Sequence, residues 1–111
     1  MMFERGDLVL VPYPFTDMSA SKRRPVLALT APDSYGDFIG LPVTSRPRPE
    51  HGIAIMQADM TQGSLPAASW IRTDRIVTLS SSLVVKIVGR VSPRVLKEAV
   101  KHICVFVGYE P

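Results

Sequence analysis

The sequence predicts a mostly β fold with a C-terminal α-helix: a small, half-open barrel that the helix closes. Three observations predict it. Short apolar runs recur along most of the chain, each ended by proline, glycine or a cluster of turn residues. After Ser92 the apolar spacing becomes helical. The chain has 111 residues, 46% hydrophobic and 21% charged, which fits one domain over 1–111 with one modest core. A domain of this size buries a limited share of its surface, so association between copies would add stability.

The elements follow in order. Residues 8–11 form an apolar run closed by Pro12 and Pro14, which predicts a buried strand. Residues 16–24 have no hydrophobic periodicity; small residues lead into Lys22-Arg23-Arg24, which predicts a mobile loop with charge at its end. Pro25 opens a second strand over 26–30, and the breakers Pro32, Asp33, Ser34 and Gly36 mark the turn after it. A third strand runs over Asp37–Thr44, where Pro42 requires an edge or a bulge. Arg46-Pro47-Arg48-Pro49 is a stiff basic connection. A fourth strand is expected over 53–57 and a connection over 63–68. Residues 69–79 form one long segment with Trp70, Arg72, Asp74, Ile76 and Thr78 in phase, and a last strand covers 84–91. That makes five or six strands. Ser92 and Pro93 suit an N-cap and a first helical position. Leu96, Ala99, Val100, Ile103 and Val107 then make an apolar stripe about four turns long, and Gly108 stops it.

Several function classes drop out. A formal charge of +3 permits a polyanionic partner without requiring one. Cys104 is the single cysteine, placed near the apolar stripe, so no intrachain disulfide forms and a reducing compartment is expected. The opening residues lack a secretion signal's apolar core, and no run approaches the roughly 18 apolar residues that span a bilayer. A cytoplasmic protein without a membrane partner is expected. His51 and His102 have no metal-ligand spacing with any cysteine, and the carboxylates do not cluster as a two-metal nuclease requires. No metal and no cofactor are expected. Glycine-rich phosphate loops and nucleophile elbows are absent from the sequence.

Three constellations carry possible chemistry. In Lys22-Arg23-Arg24-Pro25, the proline fixes the chain, so the Arg24 guanidinium projects from a rigid base and can grip a phosphate with two parallel hydrogen bonds. The same residues also fit a solvated loop whose charges guard an apolar strand. In Val43-Thr44-Ser45-Arg46, two hydroxyls end a strand beside a cation; they can hold a phosphate oxygen or a ribose hydroxyl, or cap a turn. In Trp70-Ile71-Arg72-Thr73-Asp74-Arg75, strand alternation puts Trp70, Arg72 and Asp74 on one face. Arg72 and Asp74 can line a site or form a surface ion pair, and Trp70 can stack a base or fill the core. His51 sits in the basic proline connection, as an RNA contact or a solvated side chain.

Together these segments resemble the MazF/PemK family of toxin endoribonucleases. The matching stretches are Gly6-Asp7-Leu8-Val9-Leu10-Val11-Pro12-Tyr13-Pro14-Phe15-Thr16-Asp17, Lys22-Arg23-Arg24-Pro25-Val26-Leu27, Asp37-Phe38-Ile39 leading to Val43-Thr44-Ser45, the segment from Ser69 to Leu79, and Val88-Gly89-Arg90-Val91-Ser92. The resemblance covers nearly the whole chain, and the Gly-Asp strand and the Arg-Arg-Pro segment are its most specific parts. It implies an SH3-like barrel with a terminal helix, a homodimer, and a cognate antitoxin that blocks the RNA site. It implies sequence-selective cleavage of single-stranded RNA to a 2′,3′-cyclic phosphate and a 5′ hydroxyl. The family's functional arginine before proline falls on Arg24 and its strand-end threonine on Thr44, with Ser45 beside it. In some members a later arginine and aspartate also act, here Arg72 and Asp74. Lys22, Arg23, Arg46, Arg48 and Arg75 then supply an RNA-binding groove, with Trp70 as a further RNA contact. The first loop holds no histidine, unlike some members, so the general base stays open. Two other readings remain: a gyrase-binding toxin on the same fold that cuts nothing, and a nucleic-acid-binding barrel without cleavage.

Overall fold

The structure, a computed structural model, describes residues 2–15 and 22–110. The loop expected over 16–21, with its small residues 19–21, lies outside them.

Among the described residues, eight short strands and one α-helix form. They are β1 (Asp7–Pro12), β2 (Arg23–Ala28), β3 (Asp37–Thr44), β4 (Gly52–Ile55), β5 (Met60–Gly63), β6 (Ser69–Arg72), β7 (Val77–Ser80), β8 (Lys86–Val91) and α1 (Pro93–Phe106). All pairings are antiparallel, in the order β4-β6-β3-β2-β1-β8-β5, with β7 pairing β3 as well. The architecture is the expected mostly β half-barrel with its C-terminal helix.

The apolar runs at the centre are continuous because both faces of the central strands are buried. Leu8 and Leu27 face a core shared with Leu41, Val43, Ile71 and the helix residues Val95, Leu96 and Ala99. Val9, Val11, Val26 and Ala28 face a second cluster with Phe3, Phe38, Leu79 and Val84. Gly40 is needed where these layers meet, since a Cβ there would strike the Val26 side chain.

The helix begins as expected. The Ser92 Oγ accepts from the Val95 N–H at 3.3 Å and Pro93 occupies the first turn. Gly108 ends it with φ +94°, a left-handed conformation that suits glycine. Its far end stays open: Val105 and Val107 are each 63% exposed, and Phe106 and Tyr109 are also exposed. Val107 is therefore outside the buried stripe.

Four expectations need correction. β2 begins before Pro25, because Arg23 and Arg24 already pair with Pro12 and Val11. The segment over 69–79 is two strands. Gly40 pairs with Val77 and Val43 with Ile71, so three steps of β3 face six of the other chain, and the surplus loops out as a turn at Thr73 and Asp74. The buried Thr73 holds that turn by donating its N–H to the His51 carbonyl at 3.0 Å. β5 has no apolar signal; its residues are largely exposed and pair along the β8 edge. Pro42 is neither at an edge nor in a bulge. It faces Val26 in the β2 ladder, at the point where β3 leaves β7 and takes up β6, so the missing N–H falls where one ladder is already interrupted.

Candidate functional site

The site arises where β2 and β3 part. Their ladder pairs Ala28 with Gly40 and Val26 with Pro42, then ends as β3 turns to β6 while β2 runs on through Pro25 along β1. Carried two residues further, the same register sets Arg24 opposite Thr44, and strand alternation puts both on the face of Val26 and Pro42. The β1–β2 register does the same on the other side. Tyr13 N–H donates to the Lys22 carbonyl at 2.7 Å, just beyond the Pro12–Arg23 pair. Tyr13, Lys22 and Arg24 are thus neighbours across two strand ends.

Two adjoining clefts share Lys22, Arg24, Val43, Thr44 and Arg46 as walls. The first, about 280 Å³, is completed by Tyr13, Phe15, Pro42, Arg48, Arg72 and Arg75. Six of its eleven lining residues are lysine or arginine and none is acidic. The second, about 440 Å³, adds Arg23, Pro25 and Ser45, with Leu65, Pro66, Ala67 and Ser69 as a less charged wall. The structure therefore brings Lys22, Arg23, Arg24, Thr44, Ser45, Arg46, Arg48, Arg72 and Arg75 to one groove. Trp70 lines neither cleft; its ring lies against Gly52 on β4.

The cations are held in different ways. The Arg72 Nε and Nη2 donate to the two Asp74 carboxylate oxygens at 3.2 and 3.1 Å. Arg48 Nη2 donates to the same carboxylate at 2.6 Å. Asp74 leaves the strand face it was expected to share with Arg72, and reaches Arg72 from the turn that follows. The hydrogen bond from Arg72, with the charges of Arg72 and Arg48, holds the Asp74 carboxyl below the usual aspartate range although burial opposes it. Such a carboxylate is a weak base at neutral pH, and its geometry is that of an orienting anchor. Arg24 has no carboxylate partner among the described residues, and its buried Nε–H has no hydrogen-bond acceptor. Its guanidinium lies over the Tyr13 ring, 4.6 Å from the centroid. A buried donor without a protein acceptor is costly to folding unless water or a ligand satisfies it. Thr44 Oγ1 accepts the Arg46 N–H at 3.2 Å, so this hydroxyl caps the turn that the sequence allowed and still has its own proton to donate.

Tyr13 and Phe15 were not singled out from sequence as site residues. The available signal was their alternation in Pro12-Tyr13-Pro14-Phe15, next to a strand whose partner begins with cations. His51 turns away from the groove and meets Phe106 edge-on, with ring centroids 5.1 Å apart. It shares a separate cleft with His102, which sequence distance concealed. Among the described residues, no three histidine, cysteine, aspartate or glutamate side chains stand together as a metal site, and no helix is long and apolar enough to cross a membrane. Cys104 is half-buried on α1.

The Gly-Asp motif has a different role from the groove. The buried Asp7 accepts the Glu4 N–H at 2.8 Å and pairs with Arg90 on β8 at 3.0 Å. It ties the chain's entry to the sheet.

Fold and site together define a small half-barrel with a cationic groove, part of whose charge Asp74 offsets. Comparison with known proteins narrows the class. Residues 4–107 match the family of PemK-like, MazF-like toxins of type II toxin–antitoxin systems, and the chain belongs to that family. No curated protein is significantly similar in sequence. Among solved structures, the fold is similar to MazE–MazF from Deinococcus radiodurans, with a TM-score of 0.76 and 18% identity over 99% of both chains. It is also similar to a mycobacterial endoribonuclease in complex with its cognate antitoxin, with a TM-score of 0.74 and 16% identity over 98% of this chain and 96% of that one. For the Mycobacterium tuberculosis toxin MazF-mt6 the TM-score is 0.70, with 17% identity over 95% and 99% of the two chains. At these identities the likeness is one of fold.

Proposed function

We propose that the chain is an endoribonuclease toxin that cleaves single-stranded RNA in the groove between Arg24 and Thr44. The observation that carries this reading is Arg24, which has no carboxylate partner among the described residues and lines, with Thr44, a cleft of six cations in which Asp74 offsets Arg48 and Arg72. RNA supplies its own nucleophile, so the protein's task is positioning and charge stabilisation. The 2′ oxygen attacks the adjacent phosphorus in line, losing its proton. The bond from phosphorus to the 5′ oxygen breaks, and that oxygen leaves as a hydroxyl after taking a proton. The products are a 2′,3′-cyclic phosphate and a 5′ hydroxyl. Arg24 neutralises the charge that develops on the phosphorane oxygens, and Thr44 donates its hydroxyl proton to one of them. Asp74 orients Arg48 and Arg72 along the strand's path. Lys22, Arg23, Arg46 and Arg75 add the salt-sensitive attraction expected of a phosphate-tracking groove. Ser45, in the less charged cleft, is placed to meet a ribose or base edge.

The family and the antitoxin complexes of similar fold support a cognate antitoxin as partner, and the exposed Val105, Phe106 and Val107 fit a second copy of the chain. A cognate antitoxin covers the groove, and a second copy of the chain covers the exposed apolar end of α1. Cytoplasmic action on messenger RNA follows from the same reading.

The test is incubation of purified protein with a single-stranded transcript in EDTA. Cleavage by the wild type, lowered about a hundred- to a thousandfold in Arg24→Ala, with both proteins folded, is the expected result. Intact RNA, with binding retained, makes the chain a non-cleaving binder; intact RNA with capture of gyrase makes it a gyrase-directed toxin.

A further inference from the structure

We propose that Tyr13 is a positioning residue for Arg24, holding the guanidinium over its ring so that no N–H donor is spent on a carboxylate. The proposal rests on the cleavage reading above for its catalytic consequence, and on the geometry alone for the contact.

The groove shows two ways of fixing an arginine. Asp74 fixes Arg48 and Arg72, and in doing so spends N–H donors and cancels charge. Arg24 cannot be fixed that way and still meet a phosphate with its donors free. An aromatic face attracts a guanidinium through the ring quadrupole and leaves the donors at the guanidinium edge unused. The Arg24 Cζ lies 4.6 Å from the Tyr13 ring centroid, and its Nε–H is buried without an acceptor. Lys22 Nζ approaches the same ring at 5.5 Å. The ring is itself braced. Phe15 meets it edge-on at 5.5 Å and 87°, and Phe15 packs against the core cluster of Val9, Val11 and Val26. The guanidinium is thus referred back to the core through two rings and no carboxylate.

The benzene ring, rather than the phenol hydroxyl, does the work in this arrangement. Single-turnover cleavage of a defined single-stranded RNA tests it in wild type, Tyr13→Phe and Tyr13→Leu, each also in an Arg24→Ala background. Tyr13→Leu is expected to lower kcat about tenfold or more with little change in KM, while Tyr13→Phe restores kcat to within about twofold. In the Arg24→Ala background, Tyr13→Leu is expected to add no further loss, because the two residues act as a unit. A loss that falls on KM and persists without Arg24 would overturn the proposal and make Tyr13 a stacking platform for a base. A second readout is independent of cleavage. The Arg24 Nε–H proton resonance, shifted by the Tyr13 ring current, should move toward the free-arginine position in Tyr13→Leu and stay in Tyr13→Phe. An unmoved resonance would overturn the contact itself. A wild type that spares RNA yet shows the ring-current shift would remove the cleavage reading and leave the contact standing.

Discussion

An arginine flanks β1 near each end, Arg90 on β8 beside Asp7 and Arg24 on β2 beside Val11, and the two are treated in opposite ways. At its start, Arg90 meets two carboxylates, Glu4 at 2.6 Å and the buried Asp7 at 3.0 Å. At its finish, Arg24 meets an aromatic face and no carboxylate among the described residues. The first arrangement satisfies its charges inside the protein and holds the fold. The second leaves a buried donor without a protein acceptor among the described residues, which costs stability unless water or an anion satisfies it. The difference separates structure from function better than residue type does, since both are arginines beside a short apolar strand.

The largest expected effect breaks the functional end. Arg24→Ala should reduce RNA cleavage by about a hundred- to a thousandfold, the usual cost of losing a preorganised charge-stabilising group. Its melting temperature should hold or rise, since an unsatisfied buried donor is removed. Calorimetry beside the cleavage assay checks both. The structural end should respond in reverse. Asp7→Ala strips Arg90 of its buried partner and opens the turn at Glu4, with an expected loss of about 3 kcal/mol in denaturant unfolding. The protein that remains folded should cleave at the wild-type rate.

Asp74 lies between the two extremes, because it neutralises charge and also serves the groove. Asp74→Asn should lower kcat/KM about tenfold by freeing Arg48 and Arg72. It should also change the acid limb of stability. A carboxyl whose folded pKa is depressed stabilises the fold above its unfolded pKa, and that contribution is lost as pH falls through the folded value. The wild type should therefore lose stability on acidification below the ordinary aspartate value, and the asparagine variant should lack that component. The smallest effect is Ser92→Ala, which removes the helix cap for about 1 kcal/mol of stability and leaves cleavage unchanged.

The legible parts of the molecule are those set by local chemistry. Ser92-Pro93 and Gly108 mark the helix ends because capping is a property of neighbours in sequence. Arg24 and Thr44 are singled out by the family resemblance, since each alone also fits a loop charge or a turn cap, and the structure lines one groove with both. What stayed hidden depends on register or distance. Arg48 and Asp74 are 26 residues apart, and nothing local announces their contact. The split between β6 and β7 turns on a backbone bond from Thr73 to His51, which breaks a phase that the residues themselves maintain. Trp70 keeps its expected phase but settles beside Gly52, because β4 lies there. Tyr13 reaches the site only through the register that carries β1 one residue past Pro12.

The central claim is that this groove holds a phosphodiester for attack by the substrate's own 2′ hydroxyl. The most direct measurement maps the cut in a defined transcript, then replaces the ribose on the 5′ side of that bond by its 2′-deoxy form. The account predicts a 2′,3′-cyclic phosphate on the unmodified RNA, and a modified RNA that binds as tightly and stays whole. Scission of the deoxy-substituted strand at the same bond would contradict it.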